Sequence, residues 1–301
     1  MLSSEARNIS DHVMLMGNDQ FRFYIAGWEK AALIECGASA SAWLFAEQWK
    51  NLKDKPKVEY LVCLHTHFDH ICGLPILKQL FPEAQLIASE PAKELMSKEK
   101  IVKKNFVSDA LLTQIYLDRK FLSKAPPSIP DLDHISVERT VKEGEVLELD
   151  SGLRLKFIYT PGHSTCSMSA YLEPDQVMFT SDTACSQYLD ESMIPSFYTG
   201  FNEFVGSIKK LTAYPTKVVA PGHGKLAFGE QASQQFYKLA ISACQEMHDY
   251  VATQVNQVDY DEKTLIANMR IKYIRDVFDL FPAEVSEEGM KVRIRRVKES
   301  L

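Results

Sequence analysis

The sequence predicts a layered α/β domain that gathers a metal centre at one set of strand ends. Three observations carry this. Apolar stretches alternate as strand, helix and strand. Four separate apolar runs end abruptly in histidine or aspartate, and one of those ends reads His65-Thr66-His67-Phe68-Asp69-His70. In open α/β sheets ligands collect at one set of strand ends, so the repeated ending weighs more than any single motif.

Composition narrows the class. At 301 residues with 46% hydrophobic content the chain can bury a substantial core, which excludes disordered and fibrous classes. A formal charge of −6 argues against a nucleic-acid backbone as the main ligand, because phosphate binding rests on Lys and Arg. The start, Met1 to Asn8, has no apolar core behind a basic end, and no stretch reaches bilayer length. The expectation is a cytoplasmic protein with no membrane association. Cysteines at positions 36, 63, 72, 166, 185 and 244 form no C-x-x-C pair and read as reduced thiols packed as small hydrophobes.

Taken in order, His12 to Met16, Phe21 to Ala26 and Ala31 to Glu35 alternate with Gly- and Asn-rich turns and read as a β-meander. A small-residue stretch after Gly37 leads into a helix carrying Trp43, Leu44 and Trp49. The apolar run Leu61 to Leu64 is the ligand strand, and side chains two apart on an extended backbone point the same way. His65 and His67 can therefore share one metal, while Asp69 and His70, in the turn beyond, aim elsewhere. A helix from Gly73 through Leu80 and a strand over Gln85 to Ala88 follow. Ser89 with Pro91 just inside starts a helical stretch that continues at helical spacing to about Ser123, where Ala125 to Pro130 breaks it. His134 falls in a loop.

Strands resume at Ile135 to Thr140, Val146 to Leu149 and Leu153 to Tyr159, the last running into Pro161-Gly162-His163. Met168 to Leu172 and Val177 to Thr180 make a hairpin that delivers Asp182. Asn202 to Ala213 is a helix, and the strand Lys217 to Ala220 ends in Pro221-Gly222-His223. Pro and Gly before each histidine form a tight turn that brings the backbone close to a metal. The last quarter carries three helical apolar stripes: Phe236 to Val251, then Leu265, Met269, Tyr273, Val277 and Phe278, then Met290, Ile294, Val297 and Leu301. Such stripes pack onto the sheet domain or, on the competing reading, engage a protein partner.

With His65, His67, Asp69, His70, His163, Asp182 and His223 in hand, the chain resembles the metallo-β-lactamase superfamily over roughly residues 10 to 228, including Glu35-Cys36-Gly37, which looks like the family's Asp-x-Gly turn. Length, inserted helices and helical C-terminus look most like the glyoxalase II and quinolone-signal response hydrolase branches. The resemblance implies an αββα sandwich over 1–228, with a helical insertion near 90–123 and a helical extension over 229–301 packed on it. It implies two divalent ions, zinc, iron or manganese: His65, His67 and His163 on the first, Asp69, His70 and His223 on the second, and Asp182 between them. Class B lactamases commonly place Cys where Asp182 stands, flavin-dependent di-iron relatives place Glu where His67 stands, and quorum-signal lactonases place Tyr where Cys185 stands.

The expected chemistry is attack on a thioester or related carboxylic ester by hydroxide shared between the ions, since a bound cation brings the pKa of water from about 15.7 to near 7. Asp69 would orient the nucleophile or pass its proton to the leaving group. A mono-iron persulfide dioxygenase and a regulatory binding protein with a secondary hydrolase site are the alternatives. The substrate signal is weaker. Lys225 and the basic residues Lys291, Arg293, Arg295, Arg296 and Lys298 offer an anionic handle, such as a coenzyme A phosphate or a glutathione carboxylate, a place to bind. The competing reading has Ser286 capping the final helix and those basic residues facing solvent near its end.

Overall fold

The structure, a computed structural model, describes residues 6–129, 131–150, 152–187, 190–274 and 280–301. Two sheets face each other, and helices cover their outer sides. The first sheet has the spatial order β1 (Arg7–Asn8), β2 (Val13–Gly17), β3 (Arg22–Ala26), β4 (Ala31–Ile34), β5 (Val58–Val62), β6 (Gln85–Ser89) and β7 (Arg139–Val141). β1 to β4 form an antiparallel meander, and β4 to β7 are parallel. Parallel neighbours need crossovers, and these are α1 (Ser39–Asn51), then α2 (Phe68–Ile71) with α3 (Leu74–Leu80), then α4 (Glu90–Met96) with α5 (Glu99–Asp118).

The second sheet is built from β8 (Val146–Glu148), β9 (Arg154–Tyr159), β10 (Met168–Leu172), β11 (Val177–Ser181), β14 (Val218–Pro221) and β15 (Ala227–Phe228), in the order β15-β14-β11-β10-β9-β8. Between β11 and its parallel neighbour β14 lie the small ribbon β12 (Ser186–Gln187) with β13 (Met193–Ile194) and the helix α6 (Phe201–Leu211). α6 buries Phe201, Phe204, Ile208 and Leu211, one stripe at helical spacing. The chain ends in α7 (Glu230–Val255), α8 (Glu262–Tyr273) and α9 (Ala283–Ser300).

Three apolar clusters follow from the layering. Leu15, Tyr24, Ile34 and Val62 of the first sheet meet Leu155, Phe157, Phe179 and Ala220 of the second, so strands such as β4 and β11 are buried along their whole length. Phe23, Leu33, Leu61 and Leu86 turn outward onto α1, α3 and α5. Ile158, Met178 and Val219 turn the other way, onto α6 and the C-terminal helices, where Met247, Met269, Met290, Ile294 and Val297 are buried. Each such side chain contributes about 1.5–3 kcal/mol on leaving water. The αββα sandwich with helical additions is thus present.

Several elements differ from the sequence reading. The helical stretch after Ser89 is two helices, since the chain turns at Ser97 and Lys98, and it ends at Asp118. The Ser89 side chain does cap it, accepting from the Ala92 N–H at 3.2 Å. The strand expected over Ile135 to Thr140 shortens to β7, because only that part pairs with β6. Ser286 is not a cap: α9 starts earlier, after Pro282, and Ser286 is buried in its first turn, its N–H bonded to the Pro282 carbonyl. Val277 and Phe278 lie outside the described residues. All six cysteines are free and buried.

α1 illustrates how a helix start is satisfied at a distance. Its N-cap position is Ala38, which has no side chain to accept a bond, so Asp109 of α5 takes the Ser39 N–H at 2.8 Å. Burial pushes the Asp109 carboxyl up to about 6.

Candidate metal centre

The ligand residues come from strand ends that meet at one edge of the sandwich. β5 stops at Val62, and a bent loop carries His65 and His67 before α2 turns Asp69 and His70 inward. β9 is followed by His163, β11 by Asp182 and β14 by His223. The turn glycines earn their place by contact. A Cβ on Gly162, held at φ +119°, would lie 2.3 Å from the Phe204 backbone, and one on Gly222 would lie 2.9 Å from His70 Cε1 and 3.0 Å from Asp182 Oδ1. Glu35 and Ser181, both bonded to histidines of the site, adopt positive φ of 73° and 49°, a strained backbone.

All seven residues converge, in two groups. His163 Nε2 lies 3.1 Å from His65 Nε2 and 2.9 Å from His67 Nδ1. His223 Nε2 lies 3.1 Å from His70 Nε2 and 3.2 Å from Asp69 Oδ2. Asp182 straddles the groups: Oδ2 is 3.3 Å from His163 Nε2, and Oδ1 is 3.4 Å from His223 Nε2 and 3.6 Å from His70 Nε2. A tetrahedral ion about 2.0–2.1 Å from nitrogen or oxygen ligands sets them about 3.3–3.4 Å apart, close to these spacings.

The far sides of the rings decide what the near sides can be. His163 Nδ1 faces the Ser196 carbonyl at 2.7 Å and His223 Nδ1 faces the Gln20 carbonyl, so both Nδ1 atoms carry hydrogen and both Nε2 atoms, in the neutral rings, present lone pairs. His70 Nδ1 is 2.5 Å from Glu35 Oε2, and His65 Nδ1 is 3.1 Å from Ser181 Oγ. Lone pairs are thereby aimed at one another across about 3 Å, and Asp182 Oδ1 is buried with no hydrogen-bond partner. Cations in each group would resolve that repulsion and satisfy the orphaned oxygen, so the donor set fits divalent metal, with outer partners that fix the rings of His65, His70, His163 and His223. Five imidazoles and two carboxylates suit zinc, iron or manganese.

Protonation differs between the groups. Burial, with neighbouring imidazoles, holds His65 well below its ordinary value, and burial lowers His67 and brings His163 down to about 3. For His70 and His223 burial acts the same way, but Glu35 and Asp182 beside His70, and Asp182 and Asp69 beside His223, outweigh it and raise both. Asp182 and Asp69 stay below the usual carboxylate range, since the surrounding histidines overcome the burial that would raise them.

Beyond the ligands, Tyr198 lies edge-on to His163 and His67 with ring centroids at 5.1 and 5.8 Å, and Phe281 lies against His223 at 5.8 Å with Phe68 and Phe21 beside it. Local sequence carried no signal for Tyr198, Ser196, Gln20 or Phe281, which reach the site through loops. Lys225 sits past His223 with its Nζ 3.7 Å from Glu191 Oε1. The basic C-terminal residues do not all face solvent: Arg293 is 3% exposed, and Arg296 points inward to the Tyr198 carbonyl, because both serve acceptors on the loop below α9. His134 is an exposed loop residue, and His248 stacks on Phe201 and bonds Ser300, both away from the centre. Among the described residues no helix is long and apolar enough to cross a membrane.

Comparison with known proteins agrees with this layout. The family description "Metallo-beta-lactamase superfamily" matches residues 23–223, a stretch that holds all seven candidate ligands. The metallo-beta-lactamase fold-containing protein ST1585 of Sulfurisphaera tokodaii is 32% identical over 172 residues, spanning 56% of this chain and 62% of that protein. The atrochrysone carboxyl ACP thioesterase of Aspergillus fumigatus is 21% identical over 259 residues, spanning 85% of this chain and 67% of the relative. The crystal structure of ST1585, from Sulfolobus tokodaii, superposes with a TM-score of 0.59 at 24% identity over 93% of each chain. The chain belongs to the metallo-beta-lactamase superfamily.

Proposed function

We propose that this protein is a dinuclear metallohydrolase that cleaves a thioester or a related carboxylic ester, in the manner of the glyoxalase II and quinolone-signal response branches. The observation that carries the reading is Asp182, whose two oxygens face two different ligand groups, each with a full complement of its own. A thioesterase among the relatives supports the choice of ester. His65, His67 and His163 would hold one ion, Asp69, His70 and His223 the other. When bound, the ions supply a water acidified to near-neutral pH and a Lewis acid for the carbonyl.

The chain's own residues do the rest. Asp69 turns Oδ2 toward His223 and His70, and its other oxygen, Oδ1, is the atom proposed to carry a proton to the leaving group. A thiolate leaving group asks little of that proton, since a free thiol ionises near 8.5. Tyr198 and Phe281 wall the two ends of the site and exclude bulk water from the ligands, which are nearly all buried. Lys225, at the rim, is the proposed contact for an anionic handle of a coenzyme A or glutathione thioester. The test is apo-protein reconstituted separately with zinc, iron(II) or manganese and assayed against acyl-CoA, S-lactoylglutathione, lactone and phosphodiester substrates. Two ions per chain with metal-dependent thioester turnover is the expected result. One iron per chain, with oxygen uptake on glutathione persulfide and no ester turnover, would overturn it.

A further inference from the structure

The C-terminal helix α9 lies outside the stretch that holds the ligands, yet it reaches them through one short strap. The strap is Pro195 to Thr199. It accepts His163 Nδ1 on the Ser196 carbonyl at 2.7 Å, donates from Ser196 Oγ to the Asp182 carbonyl at 3.1 Å, and docks on the Gly162 carbonyl through the Tyr198 and Thr199 N–H groups at 3.0 and 2.9 Å. Two ligands of the centre, His163 and Asp182, are thus set by this segment. Its outer side is held by α9 alone among the described charged groups: Arg293 Nε donates to the Pro195 carbonyl at 2.7 Å, Arg293 Nη2 to the Tyr198 hydroxyl at 2.9 Å, and Arg296 Nε to the Tyr198 carbonyl at 2.9 Å.

Arg293 is unusual in what it lacks. It is 3% exposed and has no carboxylate partner among the described residues, although burying a cation without one is costly. Packing alone would be met by another apolar residue like its neighbours Met290, Ile294 and Val297. Instead a planar fork spans two acceptors on one loop, and its guanidinium carbon sits 4.6 Å above the Tyr198 ring, pressing that ring toward His163 and His67. Gly289 leaves room for the arrangement, since a Cβ there would lie 3.1 Å from Arg293 Nη1 and 3.4 Å from the Tyr198 hydroxyl. Lys presents one ammonium and cannot span the same two acceptors.

We infer that Arg293 is a positioning residue for the metal centre: through Pro195 and Tyr198 it fixes the strap that holds the His163 ring directly and Asp182 only by its backbone carbonyl, so α9 sets the affinity of the His65, His67 and His163 half more than that of the other half. The inference rests on the metal-site reading above, but its readout is ion binding and is independent of which ester, if any, is cleaved. Apo-protein is titrated with zinc ion, and the two binding steps are assigned with the His67→Ala and His223→Ala variants. Cobalt(II) loading reports ligand geometry by its visible absorption. For Arg293→Met the first-half affinity falls about 10-fold, at the low end of what an outer partner contributes, while the second-half affinity stays within about 2-fold and the cobalt bands of the first half shift. Arg293→Lys recovers less than half of the loss on a logarithmic scale. Tyr198→Phe, which removes one acceptor and keeps the ring, gives a smaller shift in the same direction and decides the matter if Arg293→Met does not fold. Unchanged first-half affinity in the folded variants, or an equal loss at both halves, overturns the inference.

Discussion

The two halves of the metal centre are built from the same fold edge but prepared differently. The half of His65, His67 and His163 is all imidazole, its rings kept neutral by burial and by one another, and its outer partners are a serine hydroxyl and a backbone carbonyl. The half of Asp69, His70 and His223 contains a carboxylate, with Glu35 behind His70, and the negative charges of Glu35, Asp69 and Asp182 raise the proton affinity of both histidines. The first half is ready for a cation at any pH near neutral. The second competes with protons more strongly for the same lone pairs, and its negative charges attract a cation as well.

The variant expected to break the contrast altogether is Asp182→Ala. Since Asp182 serves both halves, both ions are lost together, and the fall in activity exceeds the roughly 10–100-fold that removal of an outer partner costs. Elemental analysis of the purified variant checks it, and retention of one full equivalent would contradict the shared role. Next comes Glu35→Gln against Ser181→Ala. The first removes a charge from His70 and lowers second-half affinity about 10–100-fold, while the second removes a neutral contact from His65 and costs less, near the lower limit. Paired zinc titrations rank the two.

Acidity separates the halves in a predictable order. His70 and His223 have raised values, so as pH falls they take up protons first, whereas His65, His67 and His163, all lowered, do so later. Metal-loaded protein dialysed at successively lower pH therefore loses the second-half ion first and passes through a one-ion state. Simultaneous loss of both ions would remove the distinction. An effect on stability alone lies outside the centre, at Asp109. Its carboxyl rises to about 6 in the fold, so the native state holds a proton that the unfolded chain, near 3.9, has already lost. Stability therefore falls as pH rises from about 4 to about 6 and stays lowered above that. Asp109→Asn keeps an acceptor for the Ser39 N–H and should gain at most about 3 kcal/mol at pH 7, with a flatter pH dependence in urea melts.

What the residues disclosed in advance followed from locality. Strand ends such as His65 to His70 and Pro221-Gly222-His223 are legible because apolar runs, turn glycines and ligand types sit side by side. The layer order was legible for the same reason, strand and helix periods being local. Ser196, Gln20 and Arg293 were not, because each matters only through a neighbour far along the chain, as Gln20 does for His223. The split of α4 from α5 turns on where Ser97 and Lys98 break the run, which spacing alone does not mark. The inward turn of Arg293 reversed a charge pattern that reads as a solvated face, since acceptors on the strap, invisible in α9's own sequence, claim it.

The spread of the ligands also sets an order of events for the newly made chain. They lie between positions 65 and 223, at the ends of strands in both sheets, and two of them are held by a strap that α9 secures. Neither ligand group is complete until the second sheet has closed against the first, because His163, Asp182 and His223 all follow strands of that sheet. Ion binding is therefore coupled to closure of the sandwich, so that an ion bound at this edge fastens one sheet to the other.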